Sequence, residues 1–177
     1  MRLATLLCLA FGLCEAVSAT AEVTDSQVNG FEVRQSVQIV APAAKVWASL
    51  GQIGAWWNPQ HSFSGDAHNL SLDLKAGGCL CEVLPGGGGV RHMTVIWVDP
   101  AKTIRMQGAL GPLQWQGATG LMTWTLAEAG GKTTLSEIYD VGGYAKGGLD
   151  KWAVPVDGVL AEQLGRLKRF VETGTAK

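Results

Sequence analysis

The sequence lacks an excess of either charge, because its 14 basic side chains are balanced by 15 acidic ones. No basic stripe runs along any segment, and proteins that bind nucleic acid rely on such a stripe to neutralise phosphates. Nucleic acid is therefore excluded as a partner. The sequence also has a single long hydrophobic run, at its N-terminus, so nothing later in the chain predicts stable insertion into a membrane.

That N-terminal run has the layout of a secretory signal peptide. The first residues carry a positive charge, residues 3–13 are apolar, and small side chains follow up to Ala19 and Ala21. The run is too short for a membrane-spanning helix, which needs about 20 residues. The sequence therefore predicts export to the periplasm or medium, a signal peptide over residues 1–21 that is cleaved after Ala19 or Ala21, and a flexible leader over residues 22–30.

Cysteine and metal-binding motifs are scarce as well. Two of the four cysteines leave with the signal peptide, and Cys79 and Cys81 remain, one residue apart. In a regular strand these side chains share a face but lie too far apart for an unstrained disulfide. His61, Asp66 and His68 share a loop but match no metal motif, and no second cysteine pair has zinc spacing. We expect two packing cysteines without a disulfide, no metal and no cofactor.

The sequence does contain a regular series of β-rich segments. Turn signals such as Asp99-Pro100 and Gly130-Gly131 separate them at short spacing, which favours antiparallel hairpins over crossovers. The run Gly86–Gly89 lacks the following helix and the Gly-Lys-Ser/Thr of a phosphate loop, so it predicts a hairpin turn. Seven strands are predicted, at residues 31–40, 70–74, 79–84, 90–98, 103–108, 120–126 and 133–141.

Helical patterns occur at two places. Two short helices are predicted after the first strand, at residues 43–50 and 53–57, and a long one at Lys151–Thr173. The long segment carries apolar residues at steps of three and four, which defines one buried face. An antiparallel sheet is the only large partner for that face. The predicted fold is α+β, a helix-grip arrangement in which a curved seven-stranded antiparallel sheet surrounds the C-terminal helix.

Several segments resemble the START/Bet v 1-like (SRPBCC) superfamily. The similarity is carried by VQIVAPAAKVWASLGQIGAWW, GGCLCEVLPGGG, VIWVDPAKTIRM and the terminal amphipathic helix, and it extends over residues 31–174. The sequence is most similar to the branch of polyketide cyclases, dehydrases, lipid-transfer proteins and Hsp90-activator-homology proteins. The resemblance implies one domain with an apolar cavity between sheet and long helix. It carries no catalytic motif, and an exported chain would not meet a cytosolic chaperone.

Polar side chains on interior faces are candidates for ligand contacts, because a few polar groups give an apolar cavity its specificity. Glu82 and Glu137 alternate with leucines, so inward leucines would direct both carboxylates inward; exposure or pairing with an arginine is the alternative. His92 is a candidate because histidine as a residue type suits acid–base work, but both faces of its strand are apolar, which leaves its direction open. The candidate ligand-binding residues are Trp57, Glu82, His92, Met106, Trp124, Glu137, Tyr139, Trp152, Val156 and Leu160.

Two functions from different classes follow from these residues. The first is a binder or carrier of a hydrophobic small molecule, lipid-like or polyketide-like, since no nucleophile is paired with a base in the sequence. The second is a cyclase- or dehydratase-like enzyme that uses a cavity carboxylate, histidine or tyrosine as acid and base. A protein that acts through its surface, with a filled core, is a third possibility. Catalytic residues stay unassigned.

Overall fold

The computed structural model describes residues 20–177, which form eight strands and three α-helices joined by loops and short 3₁₀ turns. The predicted signal peptide falls almost wholly outside this part. The helices are α1 (Ala43–Leu50), α2 (Ile53–Trp56) and α3 (Asp150–Thr173). The strands are β1 (Thr20–Gln27), β2 (Gly30–Ile39), β3 (Leu70–Leu72), β4 (Cys79–Val83), β5 (Gly89–Asp99), β6 (Thr103–Gly108), β7 (Gly117–Ala129) and β8 (Lys132–Tyr144).

All eight strands belong to one antiparallel sheet in the order β1-β2-β8-β7-β6-β5-β4-β3. Strands that follow each other along the chain are neighbours, except where β2 pairs with β8 and so joins the two ends of the domain. The α+β class, the antiparallel sheet and the long C-terminal helix are confirmed. The sheet has eight strands rather than the seven predicted.

The additional strand is β1, which replaces most of the predicted flexible leader at residues 22–30. That prediction is wrong, because β1 pairs with β2 from Thr20 opposite Ser36 to Gln27 opposite Gly30. The strand lies at the edge of the sheet; over residues 22–27 the side chains are exposed except for Val23, which packs against the core. A polar edge strand lacks the alternation by which a strand is recognised in a sequence.

The inner face of the sheet and α3 enclose the core. Strands β2, β7 and β8 bury every second residue, as their sequences predict. Helix α3 packs against β1, β2, α1 and α2, and its own side chains Leu164 and Leu167 are buried. It ends at Gly174, whose φ of 83° suits glycine. Within residues 20–177, no helix combines the length and apolar character that a bilayer crossing requires.

The glycine run forms a hairpin turn between β4 and β5, as the sequence predicts. Gly86 and Gly87 have φ angles of 81° and 89°, which glycine adopts without the steric cost that other residues bear. The Leu84 N–H donates to the Gly88 carbonyl and closes the turn. The segment after the run is a strand and not a helix, so it has no helix N-terminus to hold a phosphate.

Cys79 and Cys81 form a disulfide, which corrects the prediction of two free packing cysteines. Their Cα atoms are 5.4 Å apart. Two rises of a regular strand would place them about 6.6 Å apart. The strand is shortened here beside a β-bulge, where the pairing of β4 with β5 shifts between Leu80 and Cys81. Sequence spacing alone assumes a regular strand and therefore misses the bond.

Candidate functional site

A cavity of about 430 Å³ lies between the N-terminal half of α3 and the β3–β5 end of the sheet. Its size falls in the range of small-molecule pockets, and most of its lining is apolar. The wall consists of side chains from α3, from β3, β4 and β5, and from the two loops that follow α2 and β6. These residues are Trp57, Gln60, His61, Ser62, Phe63, Leu70, Leu80, His92, Leu110, Gly111, Pro112, Leu113, Trp152, Pro155, Val156, Val159 and Leu160.

Five of the ten predicted ligand-binding residues line this cavity. They are Trp57, His92, Trp152, Val156 and Leu160. Trp57 follows α2 and is held by a hydrogen bond from its Nε1 to the carbonyl of His61. The other five are buried elsewhere on the inner face: Glu82, Met106, Trp124, Glu137 and Tyr139. Among these, Glu82 hydrogen-bonds to the lining residue His92, and Tyr139 to the lining residue Leu110.

His92 points inward because of the β-bulge in β5. Leu80 pairs with Met93 but Cys81 pairs with Arg91, so His92 is the extra residue. As a result His92 and its neighbour Met93 are both buried, at 6% and 1% exposure. In a regular strand two consecutive residues would face opposite sides. The bulge thus settles the orientation that period-two alternation leaves open.

A chain of three hydrogen-bonded side chains ends at the cavity wall. Glu82 Oε2 lies 2.9 Å from His92 Nε2, and His92 Nδ1 lies 3.1 Å from Gln114 Nε2. The other contacts of Glu82 come from the loop after α2, where the backbone N–H groups of Phe63 and Ser64 donate to its two oxygens. Glu82 is 2% exposed and faces inward, an orientation that the sequence leaves open.

Glu82 is held in its ionised form. Burial by itself raises the pKa of Glu82, but the hydrogen bonds from Ser64, Phe63 and His92 outweigh burial, so the pKa lies below its usual 4.5. An ionised carboxylate only accepts hydrogen bonds, so His92 Nε2 must carry a hydrogen. In the neutral ring Nδ1 is then an acceptor, and Gln114 donates to it. Glu82 therefore orients His92 as a carboxylate orients a histidine that serves as a base. The His92 ring also lines the cavity.

Aromatic rings surround this histidine at the cavity rim. Phe63 stacks on the His92 ring with an interplanar angle of 6° and a centroid distance of 5.7 Å. Trp115 contacts the same Phe63 ring at 5.4 Å and is largely exposed. The loop after α2 and the loop after β6 therefore meet beside His92. Together they hold one face of the imidazole away from water.

Glu137 belongs to a separate buried cluster. It lies directly across the sheet from Gln35 on β2 and Trp124 on β7, and the Trp124 indole N–H donates to its Oε2. Gln35 in turn donates to Asp157 of α3. Burial raises the pKa of Glu137 to about 8, with Asp157 adding repulsion against the bond from Trp124. Glu137 faces inward, which the sequence leaves open, but it does not line the cavity.

Tyr139 and Met106 support the cavity from behind. The Tyr139 hydroxyl accepts the N–H of Leu110, a lining residue, and lies 3.4 Å from the carbonyl of Gly108. Burial raises the pKa of Tyr139 above its usual value. Met106 is fully buried and paired between Val95 and Met122. These two side chains pack and position the wall instead of contacting its surface.

The two histidines of the loop after α2, His61 and His68, contact different acidic side chains. His68 Nδ1 lies 2.9 Å from Asp66, and His61 lies 3.3 Å from Glu162 of α3. Across residues 20–177, no group of three or more histidine, cysteine or acidic side chains is placed to hold a metal ion.

Sequence reasoning missed the loop after β6, which closes one side of the cavity. Leu110 to Leu113 line the cavity, and Gln114 reaches His92. Gly111 and Pro112 suggest a turn, and a turn is usually solvated. The available signal was the pair of leucines within that turn, because buried Leu113 is unusual in a connecting segment.

Solved structures show the same fold at low sequence identity. CalU16 of Micromonospora echinospora matches with a TM-score of 0.58 and 13% identity over 87% of this chain and 84% of its own. DynU16, a protein in the dynemicin biosynthetic locus, matches at 0.58 and 22% over 82% of this chain and 48% of its own. The Aha1 dimer of Colwellia psychrerythraea matches at 0.55 and 18% over 81% and 97%.

The sequence comparisons define the family. Among functionally curated proteins, none is similar enough to count as a match. A family model described as "Polyketide cyclase / dehydrase and lipid transport" matches residues 30–172, which is most of the chain and includes every element from β2 to α3. The resemblance to the START/Bet v 1-like superfamily is thereby confirmed. The chain belongs to the polyketide cyclase/dehydrase and lipid transport family.

Proposed function

We propose that the protein binds a hydrophobic small molecule, lipid-like or polyketide-like, in the cavity beneath α3. The observation that carries the proposal is the cavity itself, about 430 Å³ with a largely apolar wall. An apolar ligand gains about 25 cal/mol for each Å² of apolar surface that it removes from water. The family description and the presence of DynU16 in a biosynthetic locus support this class of ligand.

We propose further that the mature protein works outside the cytoplasm. The signal-peptide pattern of the sequence supports export. The Cys79–Cys81 disulfide supports it independently, since such bonds persist mainly in oxidising compartments.

The cavity proposal is tested by filling the space. Val156→Trp places an indole where Val156 lines the wall, and Val154→Trp places the same group at a position 72% exposed on the same helix. We expect Val156→Trp to abolish binding of an apolar fluorescent probe, and Val154→Trp to retain it. Native mass spectrometry of the protein purified from its own host identifies the ligand. Equal probe binding by the two variants would contradict the proposal.

The second candidate is an acid–base enzyme, and one observation favours it. His92 lines the cavity while Glu82 holds its Nε2 from behind at 2.9 Å. A histidine that a carboxylate orients in this way can accept or return a proton. Glu137 and Tyr139, the other candidates from the sequence, do not line the cavity. Conversion of the co-purified ligand, lost in His92→Gln, would establish this function.

A further inference from the structure

We propose that His92 Nδ1 is a docking point for a hydroxyl group of the ligand. The ligand class is then a hydrophobic molecule with a weakly acidic O–H group, such as a phenol or an enol. This inference rests on the proposed function, because it concerns the same cavity. It also assigns a role to Gln114, which occupies the docking point when the ligand is absent.

The hydrogen bonds that join Glu82, His92 and Gln114 run in one direction. Glu82 accepts the backbone N–H groups of Phe63 and Ser64 and has no hydrogen to donate. Its 2.9 Å contact with His92 therefore needs a hydrogen on Nε2. A neutral imidazole with its hydrogen on Nε2 has one acceptor, Nδ1. This acceptor takes a hydrogen-bond donor, and without ligand the donor is the Gln114 amide.

A ligand can displace Gln114 from His92 Nδ1. It is half-buried on the short turn Gly111–Trp115, and its amide contacts Nδ1 at 3.1 Å. A hydrogen bond between two neutral groups contributes little net free energy, because water replaces it readily. The Glu82 contact is buried and charge-assisted, so it stays in place when a ligand competes with Gln114.

The donor that fits His92 Nδ1 is a hydroxyl group that stays protonated at neutral pH. A carboxylic acid is ionised at neutral pH, so it has no hydrogen to offer and would be repelled by the nearby Glu82. A methyl ether lacks the hydrogen altogether. A phenol or enol keeps its hydrogen at neutral pH, and its carbon skeleton matches an apolar wall that includes Trp57 and Trp152.

The same contact can move a proton. When the ligand O–H bond breaks, the oxygen keeps the electron pair and the proton forms the Nδ1–H bond of His92. The imidazolium keeps its Nε2–H bond to Glu82, and the Glu82 carboxylate balances the new positive charge at 2.9 Å. The reverse transfer returns the proton. No additional reactant is required, and the deprotonated ligand is a phenolate or enolate.

Three probes with the same rings separate the possibilities: 2-naphthol, 2-methoxynaphthalene and 2-naphthoate. Isothermal titration at neutral pH should show 2-naphthol binding about tenfold more tightly than 2-methoxynaphthalene, which is the effect of one additional hydrogen bond. 2-Naphthoate should bind more weakly than 2-naphthol. The imidazole ¹⁵N shifts of His92 should show hydrogen on Nε2 in the free protein and a change at Nδ1 with 2-naphthol.

Two variants test the roles of the side chains. Gln114→Ala removes the competing amide, so the affinity for 2-naphthol should rise severalfold while that for 2-methoxynaphthalene stays the same. His92→Phe keeps a ring for Phe63 to stack on but has no acceptor atom, so the two probes should bind equally. Near-ultraviolet circular dichroism of each variant confirms that the fold is retained.

The outcomes are distinct. If wild type binds 2-naphthol and 2-methoxynaphthalene equally, the inference is overturned while the cavity proposal stands. Tighter binding of 2-naphthoate than of 2-naphthol would mean that His92 serves as a cation, which also overturns it. If none of the three probes binds and Val156→Trp equals wild type, both the inference and the proposed function are wrong.

Discussion

At the scale of single residues, two buried carboxylates of one sheet respond to opposite surroundings. Glu82 receives several hydrogen bonds, so its pKa is lowered despite burial. Glu137 receives one, from Trp124, and its Oε1 has no partner, so burial dominates and raises its pKa to about 8. Gln35 Oε1, on the residue directly opposite, also lacks a partner. A protonated Glu137 has an O–H that can donate a hydrogen bond, which the ionised carboxylate lacks.

The raised pKa of Glu137 makes stability depend on pH in a defined direction. Below pH 4.5 the group is protonated in both folded and unfolded chains. Between pH 4.5 and about 8 the unfolded chain releases the proton and the folded chain keeps it, so the free energy of unfolding falls as pH rises. Above about pH 8 this contribution is constant. The negative charge of Asp157 also raises the pKa of Glu137 and so contributes to this pH dependence.

We expect Glu137→Gln to remove this dependence. Glutamine offers the Trp124 indole an acceptor and Gln35 a donor without carrying a proton that can be lost. Urea unfolding at pH 5 should give similar stabilities for variant and wild type. At pH 9 the variant should be more stable by about 3–5 kcal/mol. A wild type that is more stable than the variant at pH 9 would contradict the raised pKa.

The pKa of Glu82 gives stability the opposite dependence on pH. Its lowered pKa contributes stability above its usual value of 4.5, and that contribution is lost as pH falls through the folded-state value.

At the scale of elements, the β-bulge in β5 organises the site. It turns His92 inward beside Leu80, and the end of β6 must pass close to it. Gly108 makes this approach possible, because a Cβ there would lie 2.2 Å from the His92 carbonyl oxygen. Glycine at this position is therefore a requirement of the bulge and not of a turn.

Gly108→Ala should destabilise the protein by about 2 kcal/mol or more, because backbone and not a flexible side chain blocks the new methyl group. Gly158→Ala in α3 is the matched control, since nothing lies within 4 Å of its Cβ position. That variant should gain about 0.5–1 kcal/mol from helix propensity. Thermal unfolding of both measures the difference. A stable Gly108→Ala protein whose His92 ¹⁵N shifts match wild type would refute the role of Gly108.

At the scale of the whole molecule, the disulfide and the N-terminal strand bear on where the protein works. Cleavage after Ala19 would leave all of β1, while cleavage after Ala21 would remove its first two residues. The intact mass of the protein from its own host should correspond to one of these chains and be two hydrogens lighter than the dithiol form. An unprocessed chain with all four of its thiols free would contradict export. Mass measured before and after reduction distinguishes the states.

How much the sequence could predict depends on which structural rule each residue obeys. In β2, β7 and β8, alternate residues are buried along most of each strand, and Glu137 lies on the same buried face as Leu135 and Tyr139. Alternation fails at His92 and at Cys79–Cys81, because a bulge changes the period locally. It also cannot say that Glu137 lies outside the cavity while Leu110 lies on its wall. Those positions depend on how loops and α3 pack, which involves contacts between residues distant in the chain.

Two of the seven tryptophans, Trp57 and Trp152, have indole rings on the cavity wall. Indole emission moves to shorter wavelengths when water near the ring is replaced by an apolar neighbour. The protein therefore carries an intrinsic optical reporter of occupancy, and no dye or label is needed to follow it. The spectra of Trp57→Phe and Trp152→Phe would assign the signal to one end of the bound molecule or the other, and so give its orientation.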